Sequence, residues 1–208
     1  MKKIMMMLAA AMLLTATAAN AQFRKKDNNR VPDRFHMGIR GGVTSNTYTG
    51  DNTSDIDPLV FPTGGFALDF QVAPIPIFVG FGLNYMNYGF TEKRVYGGDH
   101  SYDDAHSIHM PITVSYHINV APNLFINPFI GDFVAYNFDT PNGVKEDFNY
   151  GIRFGCGLNF GRLTFDVGYD LGLYNLGGEY YDGRRYVDQD LSTGTFFMTV
   201  GFNWAGSR

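Results

Sequence analysis

The chain is short of cysteine, of lysine and of long apolar runs, and each shortage removes a class of protein. Cys156 is the one cysteine among 208 residues, so no internal disulfide can staple a small secreted scaffold. Beyond residue 21 no stretch holds 18 consecutive apolar residues, which leaves no candidate for a transmembrane helix. No helical periodicity competes anywhere after the N-terminal segment. The formal net charge is −4 at pH 7, and it becomes more negative if Lys2 and Lys3 leave with that segment. That balance disfavours nucleic acid as a partner.

What the chain has instead is glycine (25 residues) and aromatics (16%), a mixture suited to an all-β protein. A two-residue apolar/polar period, the mark of a strand with two unlike faces, recurs eight times. In 148–160, Phe148, Tyr150, Ile152, Phe154, Cys156, Leu158 and Phe160 alternate with Asn149, Gly151, Arg153, Gly155, Gly157 and Asn159. In 35–44, Phe35, Met37, Ile39 and Val43 oppose His36, Gly38, Arg40 and Gly42. In 64–73, Phe66, Leu68, Phe70 and Val72 oppose Gly65, Ala67, Asp69 and Gln71. The same holds over 77–88, over 107–118 (with His109 and His117 on the polar side), over 163–175 (with Asp166 and Asp170) and over 194–204. The stretch 124–137 is less clean. Asn127 and Asp132 fall on opposite faces, which suggests a bulge near Gly131 and leaves the facing open.

Connections alternate in length. Residues 73–76, 119–123 and 161–162 are short turns, whereas 45–63, 89–106, 138–147 and 176–193 are long, polar and rich in Gly, Asp, Asn and Tyr. Short turns at one end and long loops at the other suit an outer-membrane barrel. The polar set decides which face is wet. It is mostly Gly, Ala, Ser, Thr and Asn, and the eight stretches contain no lysine, an odd exterior for a soluble barrel but a fitting interior for a narrow cylinder. Strands of 10–11 residues at a tilt of about 45° cross roughly 25 Å of apolar membrane. The expected fold class is therefore all-β, an eight-stranded antiparallel up-and-down transmembrane β-barrel.

The N-terminus agrees with that destination. Lys2 and Lys3 precede an apolar run from Ile4 to Leu14 and the small-x-small site Ala19-Asn20-Ala21, the layout of a secretory signal peptide. The expected organisation is a signal peptide over 1–21, a periplasmic leader over 22–34, the barrel over 35–204 and a tail over 205–208. Both termini are then periplasmic.

Four segments resemble the outer-membrane β-barrel domain family common in Bacteroidota, often labelled PorT-like. They are Met37-Gly38-Ile39-Arg40-Gly41-Gly42-Val43-Thr44-Ser45-Asn46, Ile108-His109-Met110-Pro111-Ile112, Asn127-Pro128-Phe129-Ile130-Gly131, and Gly155-Cys156-Gly157-Leu158 through Tyr169. The resemblance spans about 35–204. It implies an eight-stranded barrel inserted by the barrel-insertion machinery, with lipid and lipopolysaccharide around it. For some relatives it implies an accessory role in protein secretion. The tail Ala205-Gly206-Ser207-Arg208 after Trp204 departs from the aromatic last residue usual in such chains.

Candidate chemistry is sparse. The inward set places Arg40, Asp69, Arg153, Asp166, Asp170, His109 and His117 in the lumen, with His36 beside them. Opposite charges across a narrow lumen form a hydrogen-bonded plug rather than a channel. His100-Ser101-Tyr102-Asp103-Asp104-Ala105-His106 gathers metal-ligand types without a recognised spacing, and Asp51 through Asp57 lacks the Gly and Glu of a calcium loop. Ser107 with His106 or His109 is the one pairing open to a lipid A-modifying hydrolase. The expectation is a monomeric non-enzyme without cofactor, whose acidic, Tyr-bearing loops offer contact to proteins or glycans.

Overall fold

A computed structural model describes residues 35–50, 56–73, 75–92, 100–138, 148–174, 179–181, 186–188 and 191–205. The segments read as signal peptide and leader, and the tail beyond Ala205, lie outside the described residues. The strands are β1 (Phe35–Gly50), β2 (Ile56–Ala73), β3 (Ile75–Glu92), β4 (His100–Tyr116), β5 (Ile118–Ala121), β6 (Leu124–Asn137), β7 (Phe148–Phe160), β8 (Leu163–Gly172), β9 (Glu179–Tyr181), β10 (Tyr186–Asp188) and β11 (Leu191–Ala205).

Every pairing is antiparallel, and the main sheet runs β4-β3-β2-β1-β11-β8-β7-β6-β5. β4 also pairs with β6 from Ser107↔Asn137 to Ser115↔Phe129, which closes the sheet on itself. The barrel thus has eight long strands, β5 being a four-residue hairpin arm on β6 at the rim. β9 and β10 form a separate small hairpin within the stretch read as the loop 176–193.

The closure can be followed residue by residue. Direct partners run Met37, Leu68, Phe81, Ile112, Asp132, Ile152, Leu171, Gly194 and Thr47, so one circuit returns to β1 ten residues higher, from position 37 to position 47. With strands about 4.8 Å apart and about 3.3 Å per residue, that stagger requires a tilt of about 40°. Each step round the row climbs roughly 3 Å along the barrel axis, and each residue along a strand about 2.5 Å.

The period-2 pattern has the facing expected of it. Ile39, Phe66, Leu83, Ile112 and Val200 are 49–57% exposed on the outer surface, while His36, His109, Asn149, Arg153 and Asp170 are buried within. Among the described residues, the two in the left-handed region, Asn123 (φ 63°) and Gly161 (φ 58°), lie in short turns at one end. Backbone hydrogen bonds tie this end together: the Gly161 amide donates to the carbonyl of Asn123 in the neighbouring turn at 3.0 Å, and the Asn203 amide of β11 to the Arg162 carbonyl at 2.8 Å.

Two expectations need correction. Most strands are longer than the alternation indicates, β2 starting at Ile56 and β4 at His100, because ladder hydrogen bonds continue through stretches without period-2 contrast, apolar residues and prolines on both faces in 58–62 and mostly polar ones in 100–106. The bulge near Gly131 does not exist. β6 keeps an unbroken register with β4 and with β7. Asn127, Phe129, Gly131 and Phe133 face inward, and Asp132 faces out. Asp132 and Phe133 simply invert the usual polarity of the two faces.

Candidate functional site: a stacked polar lumen

Inward residues form tiers from the short-turn end upward. At the bottom the rings of His36, Phe78 and His117 stack, with 3.9 Å between Phe78 and His117 centroids and 5.4 Å between His36 and Phe78. Ser115 Oγ lies 3.1 Å from His117 Nε2. The aromatic stack satisfies the large faces of three rings at once and fills the cylinder's width there.

Arg40 organises the next tier. Its Nε lies 3.3 Å from Asp166 Oδ2, and one of its terminal nitrogens lies 4.0 Å from Asp69 Oδ2. Another terminal nitrogen donates to Asn203 Oδ1 at 2.9 Å. Two glycines make room for the carboxylates. A Cβ on Gly80 would meet Asp69 Oδ1 and Thr113 Oγ1 at 2.7 Å, and one on Gly157 would meet Asp166 Oδ1 at 2.5 Å. A cavity of about 120 Å³ opens beside this tier, lined by Arg40, Asp69, Asn84, Thr113, Asn127 and Asp166. It is polar enough and large enough to hold water.

Arg153 and Asp170 make the third tier, a bidentate pair in which Nε donates to Oδ1 at 2.6 Å and a terminal nitrogen to Oδ2 at 2.7 Å. The guanidinium carbon sits 4.1 Å from the Phe197 ring centre, within cation–π reach. His109 approaches from the other side, Nε2 at 3.3 Å from Asp170 Oδ2, and stacks on Phe133 at 4.6 Å. Above lie buried Met86 and Ala135, with Thr195 donating to Asn46 Oδ1 at 2.7 Å and Asn149 to Thr193 Oγ1 at 2.8 Å.

The seven residues expected in one lumen network thus fall into separate groups. Arg40, Asp69 and Asp166 meet; Arg153, Asp170 and His109 meet; His117 joins neither and belongs to the aromatic stack. Phe78, Phe129 and Phe133 also face the lumen, beyond the residues the period identifies. Phe78 sits in the run Ile77-Phe78-Val79, where three apolar neighbours give no contrast to read.

Among the described side chains, the serine–histidine pairing open to a hydrolase does not form. His106 and Ser107 lie on opposite faces of β4, His106 accepting or donating at 2.6 Å with the Tyr85 hydroxyl on the outer surface. Ser107 and His109 share the inner face and are both fully buried, but no hydrogen bond joins them and Ser107 Oγ has no partner. A nucleophile needs its base within hydrogen-bond reach and a route for substrate, and this serine has neither. Among the described residues no group of three or more His, Cys, Asp or Glu side chains could hold a metal ion. The side chains of 100–105, the segment 51–57 and Tyr48, Tyr96, Tyr102, Tyr180, Tyr181 and Tyr186 lie outside the described side chains.

An apolar exterior of membrane height around a closed polar lumen points to one class of protein, and the profile of the outer membrane protein beta-barrel domain matches residues 20–177. This chain belongs to that family. Comparison with curated proteins returns no match. Among solved structures, this family member is similar to Ail, the attachment invasion locus protein of Yersinia pestis (10% identity, 81% of this chain and 98% of that one, TM-score 0.40). It is similar to the outer membrane protein AlkL in lipid bilayers (13%, 88% and 95%, TM-score 0.49). It is also similar to the outer membrane enzyme PagL (12%, 81% and 98%, TM-score 0.42). None of the three bears on what the barrel does here.

Proposed function

We propose that this outer-membrane barrel is a non-enzymatic structural or surface-interaction protein, whose lumen is closed by its own side chains and whose work is done by the segments above the membrane. The observation that carries this reading is the tiered filling of the lumen, from the His36–Phe78–His117 stack to the Arg153–Asp170 pair. Charged and aromatic side chains take up most of the room that the small residues leave, apart from the cavity of about 120 Å³ beside the Arg40 tier, and eight strands enclose room for side chains rather than for a solute path. Both termini lie on the periplasmic side with the short turns, and four connections reach the cell surface. Lipid and lipopolysaccharide surround the apolar belt, and the barrel-insertion machinery delivers the chain. Nothing in the described residues favours the secretion role or the hydrolase.

A deletion strain tests it by three readouts. Altered adhesion or envelope integrity, with lipid A mass and secreted-protein yield unchanged, is the expected result. A shift in lipid A mass restored by the wild-type chain but not by Ser107→Ala would overturn it. So would discrete single-channel conductance of the purified barrel in a planar bilayer.

A further inference from the structure

The outer face carries one anomaly. Asp132 on β6 is exposed there, with Ile112 and Ile152 as its direct partners on β4 and β7 and Ile130 and Val134 beside it on its own strand. No hydrogen bond or ion pair reaches it among the described residues. It is the fifth of the nine residues in the row that climbs from Met37 to Thr47, so it lies about 12 Å along the axis from either end of that row, near mid-depth of the apolar belt. No other Asp, Glu, Lys or Arg faces outward from a barrel strand among the described side chains.

Acyl chains offer a carboxyl group neither donor nor acceptor, and ionisable groups at this depth are normally paired. In an apolar medium a carboxyl satisfies both needs by hydrogen-bonding to a second carboxyl. Another copy of this chain, inserted the same way, presents that group at the same depth. We propose that Asp132 is the centre of a two-fold interface between two copies of this barrel, with the Asp132 carboxyl groups hydrogen-bonded to each other across the axis.

The surrounding surface is self-complementary about that axis, as a two-fold interface requires. With the axis through Asp132 along the membrane normal, the stagger of the sheet brings Ile112 of one copy to within about 2 Å in depth of Ile130 of the other, and Ile152 likewise to Val134. All four are aliphatic and branched at Cβ; Tyr150, the partner of Val134 on β7, is the titratable side chain beside Asp132 on this face, and no hydrogen bond joins the two. Sheets packed face to face lie about 10 Å apart, a gap two opposed Asp side chains can bridge. A two-fold dimer differs from the monomer expected from the sequence, where the facing of Asp132 stays open. The interface is independent of what the surface loops contact.

The test uses the full chain in vesicles of outer-membrane lipid. One copy carries Ile112→Cys and the other Ile130→Cys, both with Cys156→Ser, and a short bismaleimide is added. A crosslinked dimer is expected in the heat-modifiable, folded fraction, and none from Ile39→Cys on the far side of the barrel. Asp132→Leu should cut the yield roughly tenfold, since it removes the paired group while suiting the lipid face. Asp132→Asn, whose amide both donates and accepts across the axis, should stay within about twofold. No crosslink between the Ile112→Cys and Ile130→Cys copies that keep Asp132, an undiminished yield in Asp132→Leu, or crosslinks only to a protein of different mass would each overturn the proposal.

Discussion

Arg153 on β7 and Asp170 on β8 are direct cross-strand partners, and their side chains meet as a two-pronged ion pair at 2.6 and 2.7 Å inside the barrel. The carboxylate is 2% and the guanidinium 10% exposed. Removing one partner leaves the other charged and dry, which typically costs about 3–5 kcal/mol, whereas replacing both with apolar groups of similar volume is often near neutral. Asp170→Ala should therefore lower stability by about 3–5 kcal/mol in urea unfolding from lipid vesicles. Arg153→Met/Asp170→Leu should lose much less. Equal loss in both would mean that the pair itself, rather than the uncompensated charge, sets the energy.

The aromatic tier at the short-turn end makes a different prediction. Phe78 is fully buried against two histidine rings, so truncating it leaves a void that the rigid cylinder cannot collapse around. Phe78→Ala should cost about 3–5 kcal/mol by the same unfolding measurement. Phe78→Leu, which refills most of the volume, should recover more than half of that.

Glycine tolerance should depend on the face. A Cβ on Gly155 would meet the Phe129 ring at 2.5 Å and would also press on the Val167 carbonyl. On Gly41, which faces outward, it would meet nothing closer than the Thr63 carbonyl at 4.0 Å. Gly155→Ala is expected to destabilise by about 1–3 kcal/mol through overpacking. Gly41→Ala should leave the unfolding midpoint unchanged or slightly raised, because alanine restricts the unfolded chain more than glycine does.

How far the sequence reveals this barrel depends on contrast between neighbouring residues. Where each outward Phe or Ile is next to a Gly, Asn or Arg, as in Phe148–Phe160, the period fixes both the strand and its facing. Where contrast fails, so does the reading. Ile77-Phe78-Val79 hides an inward ring, and Asp132-Phe133 reverses the polarity of the two faces and imitates a bulge. The charged residues of the lumen are recognisable from parity alone. Their partition into an Arg40 group and an Arg153 group is not, because it is set by the ten-residue stagger of the closed sheet, which only the pairing register contains.

The facing itself can be tested by two lysines. Val200 is 57% exposed in the middle of β11, and Phe160 is 62% exposed at the short-turn end of β7. A lysine at bilayer mid-depth costs about 2–4 kcal/mol, and near the interface about 0–1 kcal/mol, since there its ammonium reaches water. Val200→Lys should therefore lower stability in vesicles far more than Phe160→Lys, even though Phe160 is the more exposed of the two. For a barrel with water outside, both positions would be solvated and both substitutions mild. Their order in a heat-modifiability or urea series thus reports the solvent on that face, and similar small losses at both sites would remove the outer face from the membrane.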